Sequence, residues 1–339
     1  MKKIKVENAV NTVLAHDITR ILPGKFKGAA YRKGHIIREE DIPELIKLGK
    51  KHLYVLSLAG SSLHEDEAAL RIAAAVCGPH LRWTEPSEGK SNMLSQTDGL
   101  LKINVPALLR INRMGSLILS TLRDNFPCRK DQMVAATRII PLTIARGKIE
   151  RLERIAAQAK PVVDVLPFRR LKVGAVVTGS EVFNGLVEDG FDQYVGAKIR
   201  SFGSTVIKKI LAPDDAGRIA EAIIELESLG CDLIVATGGL SVDPDEVTRK
   251  GVSKAGARLV AYGSPILPGA MFLYALLNET PVLGLPACVY YHASTILDLM
   301  LPRVLAGVPI TRNEIAAMGH GGLCLDCPEC RFPVCPFGK

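Results

Sequence analysis

The chain has 339 residues, 47% hydrophobic and 23% charged, which is enough material for more than one domain with its own core. Aromatic residues make up 5%, with a single tryptophan (Trp83), which excludes base-stacking platforms as the main recognition device. The net charge is +8, and residues 1–60 carry twelve Lys and Arg against six Asp and Glu. Such an excess either steers anionic partners or forms a solvated basic face. No helix-turn-helix or RNA-binding signature accompanies it, so nucleic acid is not expected as a partner. No apolar run reaches the ~18 residues needed to cross a bilayer, and the start MKKIKVENAV has no apolar signal core. A cytoplasmic location without membrane contact is the expectation.

In chain order, residues 1–60 read as a small mixed unit: an alternating apolar piece over 5–14, a loop at Pro23 and Gly24, and a turn at Arg32 to Gly34. A helix is predicted over 39–48, with Gly49 as its stop, and a strand over 52–58. Residues 65–76 carry Leu70, Ile72, Ala73 and Val76 at helical spacing, closed by Gly78 and Pro79. Between 81 and 147 short strand-like runs (100–105, 133–144) flank a predicted helix over 106–122. Another helix over 148–160 leads to a linker with Pro161 and Pro167.

From residue 171 the texture changes. Continuous apolar strands are predicted at 173–178, 204–211, 232–237 and 280–285, and helices at 194–202, 217–229, 245–255 and 291–305. Strands without polar alternation, separated by helices, imply βαβ units and a parallel sheet covered on both faces.

In such a sheet ligands bind beyond the carboxyl ends of the strands. Three predicted strands end there in unusual loops: Thr178–Gly179–Ser180–Glu181, Thr237–Gly238–Gly239–Leu240–Ser241 and Gly284–Leu285–Pro286–Ala287. Paired glycines let backbone amides approach an anion closely, the Thr237 and Ser241 hydroxyls add donors, and a helix start faces the same place. A phosphate-bearing ligand fits, although Gly-Gly also serves simply as a tight turn. Asp243, Asp245 and Glu246 follow at once. These carboxylates suit Mg²⁺ beside ligand phosphates, or helix capping; Asp243 reads as the cap and Asp245 as the ligand-facing acid.

The pieces VVTGSEV, APDD, DLIVATGGLSVDPDEVT, PILPGAM and PVLGLPACVYY together resemble the molybdopterin-binding fold of the molybdopterin adenylyltransferases and molybdotransferases. NTVLAHDIT and YRKGHIIREEDIPELIKLGKKHLYVL resemble parts of the molybdotransferase accessory domains. The resemblance implies an α/β chain with a three-layer α/β/α parallel-sheet molybdopterin-binding domain over 166–310 and an accessory segment over 1–60; the mixed α+β subdomain read at 61–165, of unknown role, and the Cys-rich metal-binding tail (311–339) fall outside it. The resemblance also implies that Thr237, Gly238, Gly239 and Ser241 hold the terminal phosphate of the pterin, with Asp245 as catalytic acid, while Thr178, Gly179 and Glu181 line the opposite side. The chain departs from the family at Ser180 (commonly an acid), at Asp243 (commonly glycine), in the lysine-free turn Pro268–Met271, and in Leu285–Cys288, which lacks Gly-Asn-Pro.

Cys77, Cys128, Cys231 and Cys288 are dispersed and read as free thiols of a reducing compartment. Cys324, Cys327, Cys330 and Cys335 crowd the tail as C-x2-C-x2-C-x4-C-P. Four soft ligands at that spacing suit Zn²⁺ in a closed tetrahedral site. They also look like the iron–sulfur signature of bacterial ferredoxins with one extra residue before the last cysteine. Two functions compete. One is an enzyme that inserts molybdate into molybdopterin or adenylylated molybdopterin with Mg²⁺ and Asp245. The other is a non-catalytic carrier that hands the pterin to a molybdoenzyme. Self-association into a homo-oligomer is implied by the family in either case.

Overall fold

The structure, a computed structural model, describes residues 2–22, 26–55, 62–240 and 247–339. The chain divides into two compact units. Met1–Gln96, Ile103–Leu122 and Lys130–Asp164 make the first; Thr97–Lys102, Arg123–Arg129 and Val165–Lys339 make the second.

In the first unit Lys2–Lys5 pairs antiparallel with His52–Val55, and Ile18–Leu22 with Phe26–Tyr31. Val6, Leu14, Ile37, Leu45 and Leu53 are buried together in a small core. The helix expected over 39–48 opens as a 3-10 turn, Glu39–Asp41, before the α-helix Ile42–Lys47. Pro43, lacking an N–H, is tolerated there in the first helical turn. A four-stranded antiparallel sheet has the spatial order Leu81–Trp83, Lys90–Ser95, Met133–Ile139, Leu117–Thr121. Helix Glu65–Val76 lies on it, burying Ala68, Ala69, Ile72, Ala73 and Val76, which fall on one stripe at helical spacing. A second helix, Arg146–Ala159, packs beside it, and Arg71 donates twice to the Glu153 carboxylate at 2.8 Å. The helix expected over 106–122 runs only from Val105 to Asn112. Gly115 and Ser116 take φ of 62° and 64°, turning the chain into strand Leu117–Thr121.

The second unit is built on six strands: β1 (Lys172–Thr178), β2 (Thr205–Ala212), β3 (Leu233–Thr237), β4 (Arg258–Tyr262), β5 (Leu273–Leu277) and β6 (Thr280–Leu285). Their spatial order is β2-β1-β3-β6-β5-β4. The first four are mutually parallel, and β5 and β4 extend the sheet antiparallel. The sequence pattern does not single out that antiparallel pair.

Because successive strand residues point to opposite faces, the apolar strands feed two cores. Val173, Ala175, Val177, Leu233, Val235 and Leu283 pack with Phe191, Ile199 and helix Ile296–Leu305 on one face. Val176, Ile234, Ala236 and Val282 pack with Ile219, Ile223 and Leu226 of helix Ala216–Ser228, and with Val252, on the other. The result is the three-layer α/β/α arrangement. The helix expected over 291–305 is shorter, with a 3-10 turn at Ala287–Tyr290 before Ile296–Leu305. Thr295 caps it, its Oγ1 accepting from Leu297 N at 3.2 Å. Among the described residues no helix is long and apolar enough to cross a membrane.

Candidate functional site

The chain leaves β1 for β2 on one side of it, then crosses to β3 on the other, so the connections diverge between β1 and β3. At such a switch point the two following loops turn away from each other and leave a crevice beyond the strand ends. Those ends are Thr178–Gly179 and Thr237–Gly238, two of the three loops singled out above.

Beneath the crevice lies a knot of hydroxyls. Thr178, Thr237 and Thr248 are buried, at 4%, 0% and 0% exposure. Thr178 Oγ1 donates to Thr237 O at 3.1 Å and lies 3.1 Å from Thr248 Oγ1, which donates to Gly238 O at 2.9 Å. Tyr290 Oη donates to Thr237 Oγ1 at 2.9 Å. Burial pushes the Tyr290 phenol above its ordinary value, so the phenol remains protonated at neutral pH. Its ring meets Tyr194 edge-on at 6.0 Å.

The paired glycines lie directly on this knot. Gly238 has φ +87°, and a Cβ there would sit 2.2 Å from Thr178 O; at Gly239, φ is +56° and a Cβ would sit 2.4 Å from Thr248 Oγ1. Both are half-buried, their lower side filled by threonines and no side chain of their own above. The sequence therefore needs glycine here for close approach from below as well as for backbone conformation.

The other expected residues scatter more. Gly179 is buried with φ +140°, and Glu181 is exposed on the short helix Ser180–Phe183. Ser180 N donates to Asp214 Oδ2 at 2.7 Å, so Asp214 caps that helix start. Asp215 caps the next helix, accepting from Arg218 N at 2.8 Å. Ser241, Asp243 and Asp245 lie outside the described residues. Thr248 and Tyr290 belong to the knot but carry no signal in the sequence alone, because Thr248 meets Thr178 from 70 residues away and Tyr290 meets Thr237 from 53. Lys209 on β2 donates to Asp189 and Asp192. These bonds push the lysine up, and the hydrogen bond from Lys209 holds Asp192 below its ordinary value.

In the tail, Cys324, Cys327, Cys330 and Cys335 all line one cavity of about 410 Å³, together with Ser294, Phe332 and Phe337. Among the described residues no three His, Cys, Asp or Glu side chains converge tightly enough to hold a single metal ion.

The model of a family described as "Probable molybdopterin binding domain" matches residues 174–306, the span that contains most of β1, the switch point and the hydroxyl knot. Residues 174–306 are thus similar to the domains that this family model describes. A domain of unknown function matches residues 3–57. The chain is 27% identical over 325 residues to the molybdopterin molybdenumtransferase of Haemophilus influenzae, covering 89% of this chain and 71% of that protein. It is 35% identical over 91 residues to the CinA-like protein of Geobacter metallireducens, 26% of this chain and 22% of the relative; the match spans about a fifth of that protein. Among solved structures it is similar to the molybdopterin biosynthesis MoeA protein of Pyrococcus horikoshii, with a TM-score of 0.35 and 13% identity over 90% of this chain and 74% of that one. It is also similar to the molybdopterin biosynthesis enzyme MoaB of Thermus thermophilus, with a TM-score of 0.34 and 19% identity over 41% and 98% of the two chains.

Proposed function

We propose that the crevice between β1 and β3 binds molybdopterin, or its adenylylated form, by its terminal phosphate, and that the bound pterin is the acceptor for molybdate. The observation that carries this reading is the glycine pair held flat on Thr178 and Thr248 at the switch point. Backbone in that position can come within hydrogen-bonding reach of a phosphate, while any side chain would collide. Thr237 is fixed by Tyr290 and keeps the strand end still, so the phosphate meets a preorganised surface.

The family resemblance makes Asp245 the acid that positions the reacting groups. The donor set Asp243, Asp245 and Glu246 is all carboxylate, which suits magnesium in chemistry. When bound, that ion would neutralise phosphate and oxyanion charge as molybdate approaches. A metal on the four tail cysteines, zinc or an iron–sulfur cluster, completes the reading, and so does self-association, checked by light scattering.

A second reading, a carrier that delivers the pterin to a molybdoenzyme without chemistry, draws on two observations. The Pro268–Met271 turn offers no lysine, and Ser180 stands where an acid is usual. Purified protein mixed with adenylylated molybdopterin, molybdate and Mg²⁺ separates the two. Turnover abolished by Asp245→Ala supports the enzyme; tight binding with no turnover supports the carrier.

A further inference from the structure

The tail contains more than a set of cysteines. Cys324 and Cys335 pack against the core of the second unit, whereas Cys327 and Cys330 are exposed at the mouth of the same cavity. Ser294 Oγ lies 3.1 Å from Cys330 Sγ. The Cys324 amide donates to Leu267 O at 2.8 Å, and Leu267 N donates to Gly322 O at 2.8 Å, so the tail is stitched to the turn that follows β4. Phe332 and Phe337, 6.0 Å apart edge-on, form an apolar wall.

Close to that wall is Arg123, its guanidinium 5.9 Å from the Phe332 ring centroid. One of its terminal nitrogens donates to Gly338 O. Its Nε and its other terminal nitrogen are buried with no hydrogen-bond partner among the described residues. Buried N–H groups of a cation left without acceptors are costly, and an anionic group close by offsets that cost. Four neutral thiols do not supply such a charge. Four thiolates around a metal centre do, because the thiols give up their protons on binding.

Which centre follows from the space. Zinc with four cysteines has Zn–S near 2.3 Å, so its sulfurs close to about 3.8 Å of one another and fill the site. Here the four cysteines line a cavity of about 410 Å³, more room than one zinc ion fills. A four-iron cube holds its thiolates at separated corners and needs an interior of its own. The hydroxyl of Ser294 would donate to the Cys330 ligand sulfur, a contact of the kind that tunes such clusters.

We propose that Cys324, Cys327, Cys330 and Cys335 bind one [4Fe–4S] cluster in this cavity, with Arg123 as its buried counter-cation. The proposal rests on the tail being metal-bound at all, the reading given above, and specifies the centre. The test uses the full chain, purified without oxygen and reconstituted with ferrous iron and sulfide, with a parallel sample offered zinc alone. The expected result is about four iron and four sulfide per chain, visible absorption that bleaches on reduction, and a paramagnetic signal in the reduced sample. The double variant C327S/C330S should lose the iron; both residues are exposed, so the core that Cys324 and Cys335 help to pack stays intact. Arg123→Met should shift the cluster's reduction potential downward, since a buried cation favours the more negative reduced state. One tightly held zinc with no iron uptake overturns the cluster and leaves a metal-bound tail. Uptake of neither metal overturns both. Iron retained by C327S/C330S, or an unshifted potential in Arg123→Met, also contradicts the proposal.

Discussion

Thr248→Val tests whether the hydroxyl knot holds the glycine loop. Valine keeps the branched shape of threonine and removes only the hydroxyl, at a residue with 0% exposure. The substitution deletes the 2.9 Å bond to Gly238 O and the 3.1 Å contact with Thr178 Oγ1. Two hydrogen bonds at about 1 kcal/mol each give a loss of about 2 kcal/mol, and the stranded Gly238 carbonyl adds to it. For a unit of this size about 2 kcal/mol lowers the melting temperature by about 4–8 °C. The same change frees the loop from its anchor, so affinity for a phosphorylated pterin should fall about tenfold, equivalent to about 1.4 kcal/mol. Thr248→Ser keeps the oxygen and should recover most of both effects. Differential scanning calorimetry and isothermal titration on the three proteins give the answer. A Thr248→Val protein with unchanged melting and unchanged pterin affinity refutes the role given to the knot.

Gly238→Ala places a Cβ 2.2 Å from Thr178 O at φ +87°; it should destabilise the second unit by about 1–3 kcal/mol in denaturant titration, and wild-type stability would contradict the close approach. Burial pushes the Cys77 thiol up to about 12, with Asp164 adding to the shift, so at pH 8 it is almost wholly protonated. Mass spectrometry after brief iodoacetamide treatment of metal-free protein should find exposed Cys327 and Cys330 labelled well before Cys77; equal labelling counts against that burial. The hydrogen bond from Lys209 holds the Asp192 carboxyl below its ordinary value, so its contribution to stability is present above the unfolded value and is lost as pH falls through the folded one. Lys209→Met should therefore raise the Asp192 midpoint followed by NMR and remove that acid-side dependence, below about pH 4. An unmoved midpoint rules out the pair.

The parts of the fold legible in the sequence are those fixed by local pattern. Helix Glu65–Val76 has the bounds its apolar stripe predicts, and β1 begins one residue before the predicted apolar run, because a doubly covered parallel strand has no polar alternation to blur it. Helix Val105–Asn112 was expected to run on through Leu117, Ile118 and Leu119, whose apolar spacing fits a helix or a strand alike; Gly115 and Ser116 decide it through backbone conformation. Strands β4 and β5 escaped because the long turn between them hides the hairpin. At the site, the glycine pair announces itself by composition. Thr248 and Tyr290 do not, since a hydroxyl contact between residues 70 or 53 positions apart is a product of the fold and leaves no local pattern.

The most direct measurement of the central claim is calorimetric titration of molybdopterin into the wild-type chain and into Gly239→Val. The new side chain of that variant must displace Thr248 Oγ1, which lies 2.4 Å from the position of its Cβ. The account predicts saturable heat for the wild type and none for the variant, compared under conditions where circular dichroism shows the same helix content in both. Absence of heat with the wild type, or equal binding by the two, contradicts it.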